Sequence, residues 1–211
     1  MGFSVVQPGQ PAKLGRHVMN VSLVMGRDCG PAAKHCIFDC YAFKAWIWPS
    51  VRKSWTGSSE LLRSDPDAYF AAIEGAVSRV RPLMFRIHVS GDFISADHLR
   101  RWAELCGNNP QTQFLAFTKS FDFLPNTPAG LPTNLEIVLS MWPSMVDSPE
   151  DIPDRLLGGY AIAFAGERAE YIDTRYEMAA MTSADCPGAC DTCGICWALD
   201  DQRKDVNFPL H

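Results

Sequence analysis

Seven of the eight cysteines in this chain fall into two short runs. Cys29, Cys36 and Cys40 are spaced C-x6-C-x3-C, and Cys186, Cys190, Cys193 and Cys196 are spaced C-x3-C-x2-C-x2-C. Clustered thiols in a protein without an export signal point to metal binding rather than to disulfides. Zinc and iron-sulfur clusters both take thiolates. Neither run is a paired zinc knuckle, and three cysteines leave one iron of a cubane open to a substrate. The second run, with Gly188 and Gly194 to relieve tight turns, resembles a ferredoxin-type loop. The expected cofactor is therefore a [4Fe-4S] cluster, one or two per chain, held by Cys29, Cys36, Cys40, Cys186, Cys190, Cys193 and Cys196. Cys186 can instead complete the first site. Cys106 lies on an apolar helix face and reads as core, and His35 reads as a basic surface residue beside Cys36.

A second set of polar groups lies at the ends of apolar runs. In the stretch 84–93, MFRIHVSGDF, alternation puts Phe85, Ile87 and Val89 on one face and Arg86, His88 and Ser90 on the other. A buried arginine and histidine need a partner or a ligand, so this face is expected to line an interior. Further runs end in Ser90-Gly91-Asp92, Thr118-Lys119-Ser120, Ser140 and Gly166-Glu167. Arg86, His88, Asp92 and Lys119 are the candidate catalytic residues, and Ser90, Gly91 and Ser120 the candidate cofactor-binding residues. Asp92 has a competing role as a turn or helix cap.

The elements that must position these groups alternate between strand and helix. Strands are expected at 18–25, 84–93, 114–120, 135–141 and 160–166, with a weaker extended piece at 170–174. Helices are expected at 65–80 and at 96–106, the latter capped by Ser95, with a short helical turn near 151–157. Alternation of this kind gives an α/β fold with parallel strands, whose C-terminal edges carry the chemistry. Five or six strands fall short of a full barrel of roughly 250 residues. The first expectation is a partial, TIM-like (β/α) barrel, and the second an open doubly wound sheet. The chain is expected to be one domain over 1–211: an N-terminal arm over 1–16, the barrel with the first cysteine run over 18–175, and the second run over 184–198.

The 211 residues carry a formal charge of −5 and are 47% hydrophobic and 20% charged. That is globular composition without a global field toward nucleic acid or anionic lipid. No apolar run of about 18 residues is present to span a bilayer, so no membrane partner is expected and the protein reads as cytoplasmic. One local exception is the aromatic and basic segment 41–55, where Lys44, Arg52 and Lys53 stand among Trp46, Trp48 and Trp55. Aromatics beside cations can stack bases and contact phosphates; alternatively, these tryptophans shield the first cysteine run from water.

The residues C29-x6-C36-x3-C40-Y41-A42, R86-I-H-V-S-G-D-F93, F117-T-K-S120 and the terminal C-P…C-x2-C-x2-C run resemble the phage-encoded gene product 88 family over about 22–197. The resemblance implies a phage origin, and hence the host cytoplasm, rather than a reaction. A looser resemblance is to radical S-adenosylmethionine enzymes, which also place a three-cysteine loop after the first strand of a partial barrel. It implies S-adenosylmethionine as a cofactor, with Ser90-Gly91-Asp92 facing its methionine amine. The spacing here departs from the usual C-x3-C-x2-C loop. The expected function is an iron-sulfur protein with a redox or radical role on an unknown small or macromolecular substrate, supplied by a host electron donor. The alternatives are a non-enzymatic electron-transfer or redox-sensing protein and a metal-stapled nucleic-acid-binding module.

Overall fold

The computed structural model describes residues 3–8, 14–15, 17–197 and 204–208. Eight strands form one sheet: β1 (Val6–Gln7), β2 (Val18–Val21), β3 (Met84–Ile87), β4 (Gln113–Thr118), β5 (Leu135–Met141), β6 (Ala161–Ala165), β7 (Ala184–Asp185) and β8 (Val206–Phe208). Their order is β1-β2-β3-β4-β5-β6-β8-β7. Every pair is parallel except β1 with β2. The α/β class and the mostly parallel sheet agree with the sequence reading, but the described residues hold eight strands, β1 antiparallel, where five or six parallel ones are expected. From β2 to β6 each strand is added beside its predecessor without reversal, which removes the doubly wound alternative for that stretch. The sheet is not closed, since β1 and β7 are its edges.

The helices are α1 (Ala42–Trp46), α2 (Pro49–Ser64), α3 (Pro66–Val80), α4 (Ala96–Asn108), α5 (Glu177–Thr182) and α6 (Cys190–Cys193). Asp65 opens α3 by accepting from the Ala68 N–H at 2.9 Å, and Ser95 opens α4 by accepting from the His98 N–H at 3.0 Å. α1 and α2 are separated because Pro49 forces Trp48 into extended backbone (φ −82°, ψ 125°). α2 has no counterpart in the sequence reading. Its middle, Ser54 to Ser59, is rich in weak helix formers, and tertiary contacts hold it: Trp55, Leu62, Ser54, Ser58 and Ser59 are buried.

Two packed layers flank the sheet. On one side Phe85, Ile87, Phe114, Ala116, Ile137, Leu139 and Phe164 meet Tyr69, Ile73, Val77, Leu99, Trp102 and Cys106 of α3 and α4 in the main core. On the other side Val18, Leu115, Val138, Ala161 and Val206 meet Trp197, with Cys186, Cys190 and Cys196 packed against them. The C-terminal cysteine segment therefore covers the face that the helices leave open. Burial of Trp197 among these side chains, worth roughly 25 cal/mol per Å² of apolar surface, anchors it.

Three local expectations change. The arm over 1–16 contains β1, because Val6 and Gln7 pair with Val21 and Asn20; residues 1, 2, 9–13 and 16 lie outside the described residues. The piece 170–174 is no strand: Arg168–Tyr171 form a 3-10 turn closed by reciprocal Glu167 and Glu170 caps. The short β7 and β8 went unread, being too brief for a periodic signal. Residue 198, the end of the expected second cysteine segment, lies outside the described residues. No helix among those described is long and apolar enough to cross a membrane.

Candidate functional site

The first cysteine run follows β2 directly and is bound to the end of β3 from both sides. Val89 N–H donates to Val21 O at 3.0 Å, Leu23 N–H to Ser90 O at 2.8 Å, and Asp92 N–H to Asp28 O at 2.7 Å. The approach is so close that a Cβ on Gly91 would lie 2.6 Å from Leu23 Cβ, and Gly91 has φ +85°. Only glycine meets both demands at low cost.

Asp28, immediately before Cys29, is buried and receives Arg63 through Nε at 3.1 Å and again through Nη2. Burial alone would raise its carboxyl, but Arg63, Ser59 and the Arg27 charge outweigh that and hold it below the usual range. Neither Asp28 nor Arg63 was singled out in the sequence. The position of Asp28 next to a cysteine was the sole available signal, and its partner lies 35 residues away on the unread α2.

Asp92 is a staple between strand ends. Its carboxylate accepts from Phe93 N–H at 2.7 Å, Thr118 Oγ1 at 2.6 Å and Lys119 N–H at 2.7 Å. Burial pushes its pKa up against those three donors. Its lone pairs are thus engaged by its own turn and by the end of β4. Ser120 donates to Phe93 O at 2.9 Å. The Ser90 hydroxyl is buried without a partner among the described residues.

Cys29, Cys36 and Cys40 are half-buried free thiols. Burial pushes the Cys29 thiol up to about 11, opposed by the Gly26 N–H, which donates to its Sγ at 3.3 Å, and reinforced by Asp92, Cys36 and Cys40 nearby. Burial likewise raises Cys40, with Lys119 opposing. Lys119 Nζ also lies 5.9 Å from the Trp142 ring. The His35 side chain is largely covered, with its nitrogens near Ser144 (2.9 Å) and Glu150 (3.4 Å), rather than standing free at the surface as expected.

The C-terminal thiols form a separate group. Burial pushes Cys196 up to about 12; Arg86 opposes this, while Cys186, Cys190 and Cys193 add to it. Cys186 thus stands with its own run rather than with the first. Arg86 lies beside this second group: its guanidinium stacks 4.0 Å from the Phe117 ring and its Nε is buried without a partner among the described residues. Burial lowers its pKa, countered by Tyr41, Cys190, Cys196 and Cys186. Tyr41, the neighbour of Cys40, donates its hydroxyl to Val89 O.

His88 is not where alternation put it. Its backbone is left-handed (φ 54°), so the period-two pattern breaks and the ring turns to the helix side. There it meets His98 at 5.0 Å, Phe93 at 5.2 Å and Trp102 at 5.8 Å between ring centres. It is deeply buried, and burial, His98 and Arg86 drive its pKa well down. His88 and Arg86 therefore lie on opposite faces. Cys106 is core, as expected.

Among the described residues no three His, Cys, Asp or Glu side chains stand as they are in an arrangement that holds a metal ion. The gene product 88 family matches residues 6–199. The chain belongs to this family. Members of the gene product 88 family similar to it include "Gene 88 protein" of Mycobacterium phage L5, 25% identical over 87% of this chain and 82% of that protein. Another is "Gene 88 protein" of Mycobacterium phage D29, 26% identical with the same coverage. The gene product 88 family is thus a bacteriophage family, and no solved structure matches the chain.

Proposed function

We propose that the protein is a [4Fe-4S] iron-sulfur protein with a redox or radical enzymatic role. In this reading Cys29, Cys36 and Cys40 hold a cluster with one open iron, and Cys186, Cys190, Cys193 and Cys196 hold a second. The observation that carries it is the division of seven free thiols into groups of three and four, with Tyr41 beside the first and Arg86 beside the second. The donor set is all sulfur, which suits iron-sulfur ligation. The Gly26 N–H aimed at Cys29 Sγ is the kind of contact that steadies a thiolate ligand. The proposal requires the thiols to close around an inorganic core, since as they stand none of these groups holds an ion.

A bound cluster would supply one-electron chemistry. The chain's own part is positional. Asp28 and Asp92 fix the first loop against β3 and β4, Arg86 brings a buried positive charge beside the second group, and Lys119 faces Cys40. In the enzymatic reading the sequential winding of β2 to β6 would form part of a barrel wall, and Ser90, Gly91 and Ser120 would be the residues to hold S-adenosylmethionine or another small substrate. One observation favours electron transfer instead: His88 has left that face, which removes a residue the enzymatic reading counted on.

The test is iron, acid-labile sulfide and zinc per chain after anaerobic purification. About eight iron and eight sulfide means two cubanes, and about four of each means one. Zinc without sulfide refutes the proposal. With iron present, a change in the cluster's EPR spectrum on adding S-adenosylmethionine supports the radical reading. An unchanged spectrum, and a potential and function unaltered in Arg86→Lys, support electron transfer.

A further inference from the structure

The basic aromatic segment after Cys40 divides in the structure. Trp55 is buried and Trp46 packs on it at 5.8 Å; both join Met25 and Ala42 against Cys29 and Cys40. These two tryptophans cover the first thiol group, as the shielding alternative expects. The remaining aromatics do not. Phe38 is 94% exposed and Trp48 61%, and Tyr41, Phe43 and Ile47 are also exposed. Five of the twelve exposed large apolar side chains among the described residues thus fall within 38–48, where burial would ordinarily be sought.

Past the exposed Asp39, which adjoins Phe38, the chain is segregated by charge. Between Asp39 and Glu60 the chain has no acidic residue but carries Lys44, Arg52 and Lys53, all exposed. In a chain of formal charge −5, this is a local basic segment that carries exposed rings.

We propose that the exposed segment 38–53, through Phe38, Trp48, Lys44 and Arg52, binds single-stranded nucleic acid. Exposed rings offer stacking platforms for unpaired bases and the cations neutralise phosphates, a combination that neither an acidic protein nor a second copy of this chain requires. A base-paired strand hides its ring faces and cannot use the aromatics. The inference stands apart from the iron-sulfur reading, because none of these residues is a thiol.

The test is fluorescence anisotropy of a labelled oligothymidylate with the full chain, purified anaerobically with whatever metal it carries. Saturable binding is expected at low salt, with a slope of log K against log salt of about −2 for three phosphate contacts. Trp48→Ala and Phe38→Ala should each weaken binding by about tenfold. Lys44→Gln with Arg52→Gln should flatten the slope by about one unit or slightly more. Unchanged circular dichroism checks that these exposed substitutions leave the fold intact. Absence of binding at low salt overturns the proposal, and so does binding indifferent to Trp48 and Phe38. Equal binding of polyglutamate assigns the surface to an acidic protein and overturns it. So does self-association in sedimentation that Trp48→Ala abolishes, or a preference for duplex. Iron and sulfide content is read separately, so failure here leaves the cluster reading where it was.

Discussion

The two cysteine regions are held in place by different means. The loop carrying Cys29, Cys36 and Cys40 is fixed by hydrogen bonds from Val89 to Val21, from Leu23 to Ser90 and from Asp92 to Asp28, by the Asp28–Arg63 pair and by the Gly91 contact. The segment carrying the four C-terminal thiols rests on the open face of the sheet. It is held by Trp197, by the Cys186 N–H to Asn207 O bond of 2.9 Å, and by the Gln113 side chain donating to Trp197 O at 3.2 Å. A loop with its own polar scaffold is organised before any ligand arrives. A loop laid on a surface gains order from whatever binds it. The difference assigns rigidity to the first region and responsiveness to the second.

The largest effect should come from the staple of the first region. Asp92→Ala leaves three buried donors without an acceptor and should cost about 4 kcal/mol, read from urea unfolding. The exposed Thr192→Ala in the second region should cost about 0.5 kcal/mol or less. Comparable losses would break the contrast. Gly91→Ala comes next, at about 3 kcal/mol, from left-handed strain plus overlap with Leu23. Its metal loss should be confined to the first thiol group.

Acid should act on the scaffold behind the first region. Burial and Arg101 depress His98 to about 3, against opposition from Asp28 and Asp97, and His88 is depressed in the same direction. An unfolded imidazole titrates near 6.5, so the unfolded chain binds more protons below that pH. Stability is therefore intact above about 6.5 and falls as pH drops from there toward 3, by about 2 kcal/mol at pH 5 for His98 alone. His98→Gln should remove part of that slope in urea titrations at successive pH values. The smallest effect sharpens the comparison itself. Stripping metal with a chelator should raise amide exchange across 186–197 by about tenfold and leave 22–30 nearly unchanged. Equal change in both loops would show that the first also depends on its ligand.

Much of the fold was legible in the sequence. The helix starts at Asp65 and Ser95 and the strand at Leu135–Met141 follow from caps and from unbroken apolar runs, which act over a few residues. α2 was not legible, because its serines are helical through contacts with distant partners such as Val24. His88 was misplaced because a strand pattern assumes regular backbone, and a single positive φ reverses every face beyond it. The thiols and Lys119 are candidates that spacing alone can name, but the Asp28–Arg63 pair joins residues 35 positions apart and leaves no local trace.

The sequence by itself determined the α/β alternation, the two thiol runs and the segregation of basic and aromatic residues after Cys40. Spacing, propensity and composition are local properties, and they survive without a fold. Only the tertiary structure decided that Cys186 stands with its own run, that Asp92 binds its neighbouring strand end, and that Trp46 and Trp55 turn inward while Trp48 stays in water. Those outcomes depend on which surfaces meet, and burial and hydrogen-bond satisfaction are settled only when distant segments compete for the same partners.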